Sequence, residues 1–252
     1  MSIMEKFKLN GKIALVTGCS KGIGFGIAKG LAEAGADIIG VSSTLHKGSE
    51  IEKYVESIGR KFHCFNCDFS KRENTHSFLK ELSEHNLEPN ILVSNAGSLI
   101  RTELKEHSDA DWDRILEINL SSQFILAREL SGKMVEEGWG KIIFTASILS
   151  YQGGLFVPSY TASKGGIAQL TKALSNELAD KGINVNSIAP GYVVTDINSA
   201  LREDKIRSAD LMARIPMKRW GTIDDMAGAA VYLASDASSY VNGELLNVDG
   251  GW

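Results

Sequence analysis

An α/β fold, with seven parallel strands doubly wound into one sheet and helices on both faces, is what this 252-residue sequence predicts. Three observations lead there. Short apolar runs recur with amphipathic helical stretches between them. The first run opens into a cluster of glycines and then a helical pattern, the physical form of a dinucleotide site. Composition is that of a globular protein, 43% hydrophobic and 23% charged, and the length fits a single domain over 1–252 with a substantial core.

The elements follow in order. IALVT (13–17) is short, apolar and β-branched, the signature of a buried parallel strand, and a helix follows near 23–34. DIIGVS (37–42) is the second strand, with a helix near 48–58. KFHCFNC (61–67) is the third, ending at Asp68, with a helix near 72–85. ILVSNA (91–96) is the fourth, and one long helix is expected near 108–136. KIIFTAS (141–147) is the fifth, followed by a helix near 160–180, and NVNSIAP (184–190) is the sixth. Residues 192–218 then interrupt the alternation with one or two short helices on a loop. Loops at the carboxyl ends of strands form the ligand crevice of such sheets, so this segment reads as a substrate lid; a plain surface insertion is the alternative. A helix near 223–234 and the strand LLNVDG (245–250) complete the pattern. No repeat, low-complexity stretch or linker intervenes.

Two motifs carry chemistry. Gly18, Gly22 and Gly24 form G-x-x-x-G-x-G at the first strand–helix turn. Glycines there let the backbone approach a pyrophosphate closely, and the free N–H groups at the helix start bind its charge. Tyr160 and Lys164, in SYTASKGG, sit four apart at the start of a helix, which stacks them on one face. A cation beside a phenol favours the phenolate and draws its pKa down from about 10. Such a tyrosine can exchange a proton with a carbonyl or alcohol. Ser147 lies thirteen residues upstream of Tyr160, at the end of the fifth strand.

Together these motifs resemble the short-chain dehydrogenase/reductase family over nearly the whole chain. TGCSKGIG (17–24) matches its cofactor loop, and SNAG (94–97) its N-N-A-G motif, with Ser94 in place of the first Asn. Asn119 in EINL, Ser147, Tyr160 and Lys164 match its catalytic tetrad in order and spacing. APGYVVT (189–195) and NVDGG (247–251) match two later segments. The resemblance implies a Rossmann sheet of order 3-2-1-4-5-6-7. It implies that Tyr160 is the general acid/base, that Lys164 tunes it and reaches the nicotinamide ribose, that Ser147 holds the reacting oxygen, and that Asn119 supports a proton relay. It also implies a cofactor site of Gly18, Ser20, Lys21, Gly22, Ile23, Gly24, Asp68, Asn95, Ala96, Gly97, Pro190, Gly191, Val193 and Thr195, together with Tyr160 and Lys164.

The dinucleotide is set by the end of the second strand. An NAD-selective site places a carboxylate there for the ribose hydroxyls. GVSSTLHKG offers Ser42, Ser43 and Thr44 instead, with Ser42 expected at the ribose, and Lys21 nearby could attract a 2′-phosphate. Local electrostatics therefore favour NADP. The stretches 147–166, 184–198 and 214–243, however, resemble the branch of the family that interconverts keto-sugar acids of the 2-dehydro-3-deoxy-D-gluconate type. That branch uses mostly NAD with a similarly acid-free strand end. NAD is thus the expectation and NADP the alternative. A sugar acid needs a cation for its carboxylate and polar groups for its hydroxyls. Arg101, Arg219 and Gln152 are the candidates, with Ser147 and Tyr160 at the reacting carbon; a surface position or a structural ion pair is the alternative for each arginine. Other readings are a gluconate-type or other sugar dehydrogenase, a 3-oxoacyl-carrier-protein reductase, and a non-catalytic NAD(P)-binding protein. A carrier-protein reductase should show a basic docking patch, whereas this chain is slightly acidic. The intact tetrad speaks against the non-catalytic reading.

A net charge of −4 provides no electrostatic footprint for nucleic acid. No apolar run approaches the ~20 residues of a membrane span. The charged N-terminus lacks a signal-peptide core, so the expected compartment is the cytoplasm. Cys64 and Cys67 form C-x-x-C within a strand rather than at a helix start, no second cluster supplies zinc ligands, and no metal site is assigned. The apolar last strand and Trp252 are liabilities if left in water. Family members bury this region across a two-fold axis, which points to a homotetramer whose C-terminal residues lie near a partner subunit's active site.

Overall fold

β-branched and aliphatic residues fill the strand interiors because both faces of the sheet are covered. The computed structural model describes residues 2–252. The seven strands are β1 Ile13–Thr17, β2 Asp37–Ser42, β3 Phe62–Asn66, β4 Ile91–Ser94, β5 Gly140–Thr145, β6 Ile183–Pro190 and β7 Leu245–Val248. They form one sheet of order β3-β2-β1-β4-β5-β6-β7, parallel throughout. The order reverses between β1 and β4, and doubly wound sheets bind ligands at that switch point. Several strands stop one or two residues short of their apolar runs, where the chain leaves the sheet for the loops that follow.

Alternate residues of β1 supply two cores. Ala14 and Val16 face α1 (Gly22–Glu33), α2 (Glu50–Ser57) and α9 (Ile223–Ala234), where Ile27, Leu31, Ile51, Met226 and Leu233 pack. Leu15 faces α3 (Arg72–Glu84), α5 (Ser122–Glu137) and α6 (Pro158–Leu178), where Phe78, Leu126, Ile167 and Leu178 pack. Two glycines of α1 let α9 approach: a Cβ on Gly26 would lie 2.6 Å from the Ile223 carbonyl oxygen, and one on Gly30 2.8 Å from Ala227 Cβ. The three cysteines are free thiols, and burial pushes Cys19 and Cys67 up to about 12.

The single helix expected over 108–136 is divided. It runs as α4 (Asp109–Leu116), a π-helical turn (Glu117–Ser121) and α5. Such bulges cluster at functional sites. Here the wider turn carries Asn119, which is fully buried, toward the loop after β4. The excursion between β6 and α9 holds α7 (Ser199–Glu203) and α8 (Lys205–Arg214). Its base is pinned where the Val194 N–H donates to the Gly221 carbonyl (2.9 Å) and the Gly221 N–H to the Tyr192 carbonyl (2.8 Å).

Candidate active site

The glycine loop makes the floor of the cofactor crevice. Gly18 and Gly22 have φ of +67° and +61°, a region that favours glycine. A Cβ on Gly24 would lie 2.5 Å from Asn95 Nδ2, and closer still to the Gly18 carbonyl, so the first turn of α1 closes only without a side chain. No side chain caps α1, which leaves its first N–H groups free for an anion. The loop is anchored from behind. Thr17 Oγ1 accepts from the N–H groups of Asn95 (2.9 Å) and Ala96 (2.7 Å), and Asn95 Nδ2 donates to the Thr17 carbonyl (3.0 Å). Thr145 Oγ1 in turn donates to Asn95 Oδ1 (3.1 Å). Asn95 therefore shapes the crevice with a side chain already committed to protein partners. Thr195 crosses above the loop, its Cγ2 3.5 Å from where a Cβ on Gly22 would sit, and Lys21 pairs with Asp196 at 2.7 Å. Gly191 is pressed against β7, with a Cβ there 2.7 Å from Asp249 Cα, and Val193 is buried below.

The ribose end of the crevice differs from the sequence expectation. Ser42 is buried, and its hydroxyl accepts from the Thr44 N–H (3.4 Å), so it faces inward at the strand end. The exposed hydroxyls are those of Ser43 and Thr44, and Thr44 Oγ1 lies 3.2 Å from Ser20 Oγ across the rim. Asp68 stands exposed beyond β3, its carboxylate accepting from the Ser70 N–H (3.0 Å) and held below the usual carboxylate range by that bond.

Ser147, Tyr160, Lys164 and Asn119 come from three elements. Ser147 follows β5, extended, its hydroxyl accepting from the Leu149 N–H (3.1 Å). α6 starts with Pro158 at its first position, where the missing N–H costs nothing, which puts Tyr160 and Lys164 in its first two turns. Lys164 is 3% exposed, donates from Nζ to the Thr145 carbonyl (2.6 Å), and lies 5.6 Å from the Tyr160 ring centre. Asn119 Nδ2 donates to the Ser98 carbonyl (2.9 Å) and to Ser163 Oγ (3.1 Å), and its Oδ1 accepts from the Ser98 N–H (2.8 Å). Gly97 lies between them: a Cβ there would be 3.5 Å from Asn119 Oδ1 and 4.0 Å from Lys164 Nζ.

The electrostatics correct one expectation. Burial pushes the Tyr160 phenol above its ordinary value, and only the Ser147 hydroxyl works against that. Lys164 is itself lowered to about 8 by burial, so its charge does not dominate the pair. The apolar wall around both groups penalises the charged form of each, although Tyr160 itself is only part-buried.

A cleft of about 320 Å³ opens between the loop after Ser147, at Leu149, and the start of α6, at Val157. Arg101, Leu149 and the stretch Gln152–Leu155 line it, and Arg101 donates to the Leu155 carbonyl (2.8 Å). Arg219 does not join them. It forms a two-pronged pair with Asp225 (2.7 and 2.8 Å) at the start of α9, which is the structural ion pair named above as its alternative. Trp252 walls the cleft of its own chain. Its ring packs against Tyr192 (4.9 Å between centres) and under the Arg214 guanidinium (4.0 Å).

The family model of enoyl-(acyl carrier protein) reductases matches residues 18–252. This chain is a short-chain dehydrogenase/reductase. It is 58% identical over 251 residues to the 2-dehydro-3-deoxy-D-gluconate 5-dehydrogenase of Pseudoalteromonas atlantica, covering 99% of both chains. It is 43% identical to the Escherichia coli enzyme of the same name, covering 99% of this chain and 98% of the other. It superposes with a TM-score of 0.93 on a gluconate 5-dehydrogenase from Burkholderia cenocepacia in complex with NADP and tartrate, at 36% identity over 99% of this chain and 98% of that one.

A short-chain dehydrogenase/reductase is a nicotinamide-dependent oxidoreductase, and the crevice fits the group: a glycine floor that a Cβ would fill, and an uncapped helix start. Bound there, the nicotinamide supplies or accepts the hydride. The sequence analysis missed three residues of the cleft, Arg207, Arg214 and Tyr192. Arg207, Asp210, Leu211 and Arg214 recur at i, i+3, i+4 and i+7, a helical face that was legible in the interrupting segment.

Proposed function

We propose that this enzyme interconverts a hydroxyl and a keto group on a sugar acid of the 2-dehydro-3-deoxy-D-gluconate type. One observation carries the reading: a cleft sized for a small polar acid is lined by Arg101, Arg207, Arg214 and Gln152, and its wall includes Leu149, whose N–H donates to Ser147 Oγ, and Val157, three residues before Tyr160. The names of the relatives point to the same substrate class. Tyr160 is the general acid/base, Ser147 positions the reacting oxygen, Lys164 holds the ribose side, and the buried Asn119 fixes the wall behind them. Arg101 and Gln152 contact the substrate. The residues 192–218 act as its lid.

The cofactor in this reading is NADP. Hydroxyls of Ser20, Ser43 and Thr44 line the rim where a 2′-phosphate would lie, and no carboxylate there repels it. The NADP-bound relative supports this choice over NAD. The enzyme is proposed to work in the cytoplasm, in keeping with its free thiols. A homotetramer is also proposed. Half-exposed Phe124 on α5 and the small face of α6 around Gly166 and Ala173 border one shallow groove, and β7 leaves a second edge.

A spectrophotometric screen of keto- and hydroxy-sugar acids with NADPH and NADH tests the reading. Expected is turnover of a 2-dehydro-3-deoxy-D-gluconate-type acid, with kcat/KM higher for NADP(H). No turnover of any sugar acid with either cofactor overturns it.

A further inference from the structure

The lid helix α8 contributes nothing to either core; none of its residues is buried. The four of its side chains that line the cleft are Arg207, Asp210, Leu211 and Arg214, one continuous helix face. A ten-residue helix that faces a site without burying an apolar stripe is not held there by the hydrophobic effect. What it presents to the site is charge.

That charge is unbalanced. Arg101 on the fixed wall and Arg207 and Arg214 on α8 face one Asp210, which leaves an excess of two positive charges around the cleft. None of the three arginines has an ion-pair partner among the described residues. The charge of Arg207 disfavours the charged form of Arg101, after burial itself, and all three guanidiniums act on the Tyr192 phenol, so they share one space. Like charges held together this way repel until an anion is placed between them. The ends of the excursion are anchored. The Asp204 carboxylate accepts from the N–H groups of Ile206 (3.1 Å) and Arg207 (3.0 Å) and fixes the start of α8, while Arg214 lies over the Trp252 ring at its end.

We propose that α8 is the acid-recognition element of this enzyme: Arg207 and Arg214 descend on the substrate carboxylate opposite Arg101, so that the acid itself closes the lid over Ser147 and Tyr160. This rests on the sugar-acid reading above. Guanidinium groups suit the task because they meet a carboxylate in a planar, two-pronged geometry. Specificity then has a mechanism. A neutral sugar of the same shape offers nothing to offset the repulsion, so the helix stays away and the reacting groups remain open to water. Discrimination appears in kcat as well as in KM, because closure and not only affinity depends on the charge.

The probes are D-gluconate and its neutral isostere D-gluconamide, titrated calorimetrically into the NADP-loaded enzyme. Wild type should bind the acid at least roughly tenfold more tightly, from the worth of charge-assisted hydrogen bonds. Hydrogen–deuterium exchange over residues 205–214 should slow with gluconate and not with gluconamide. Arg207→Met should abolish both differences by weakening gluconate binding, and Arg207→Lys should restore part of the preference. Arg207 is exposed, so the variants should fold, and Arg214→Met provides a second test with the same expected loss. Equal binding of the two probes by wild type, no detectable binding of either, or an acid preference that survives both Met variants overturns the proposal. Acid-selective binding through α8 in an enzyme that turns over no sugar acid would instead overturn the functional reading and leave α8 as a carboxylate site.

Discussion

Tyr160 has to change protonation state inside a wall that resists charge. Burial holds its phenol above the ordinary value of ~10, and Lys164, lowered to about 8, does not reverse that in the protein alone. The sign for the reaction follows. Alcohol oxidation needs the deprotonated phenol, so its rate should still be climbing above pH 8. Ketone reduction needs the protonated form and should fall only on the alkaline side. Tyr160→Phe should lower kcat by roughly 10²–10⁴-fold in both directions and leave the cofactor Kd within about twofold, because only the transferable proton is lost. Kinetics from pH 6 to 10 with a parallel cofactor titration check this. A variant that keeps more than a tenth of wild-type kcat would remove Tyr160 from the role.

At the scale of elements, the crevice depends on how closely α1 approaches the loop after β4. Gly24 sits at the contact with Gly18 and Asn95. Gly24→Ala should push the loop off its anchors, weaken cofactor binding by at least tenfold and lower Tm by several degrees. Gly132→Ala in α5, where a Cβ would meet nothing within 4 Å, should instead leave binding unchanged and add about 0.5–1 kcal/mol of stability, since glycine is costly inside a helix. Calorimetric titration and differential scanning calorimetry on the two variants separate the local fit from general helix propensity. The π-helical turn at Asn119 belongs to the same scale: one widened turn moves a single side chain onto the Ser98 backbone without ending the helix.

For the whole molecule, the sheet buries both of its faces but ends in the edge strands β3 and β7. Beyond it, Phe124 and Tyr240 are 39% and 103% exposed. Large side chains left open on a helix face and near an edge are what subunit contacts cover. Light scattering at micromolar concentration should give about four times the chain mass of 27.3 kDa. A mass of 27.3 kDa would refute the assembly. Replacing Trp252 by Ala should disturb the substrate KM of each subunit, because the ring walls its own cleft, while leaving the assembled mass unchanged.

Spacing within the chain determined the strands, the glycine loop and the Tyr160–Lys164 pair, and the resemblance to the family added Asn119 and the role of Ser147. The first three are written in local pattern: period, turn chemistry, and side chains four apart on a helix. Tertiary structure decided what those residues could do. Ser42 and Thr44 are chemically alike in the sequence, and only the end of β2 buries one and exposes the other. Arg207 lies in the interrupting segment and Arg219 just beyond it, and only the packing of α9 gives Arg219 to Asp225 while α8 brings Arg207 to the cleft. Tyr160 was expected to be lowered by its neighbouring cation, and the depth of the wall around it reversed the direction. Burial and partnership are sums over distant segments, so a local pattern can place a residue on an element without saying what surrounds it.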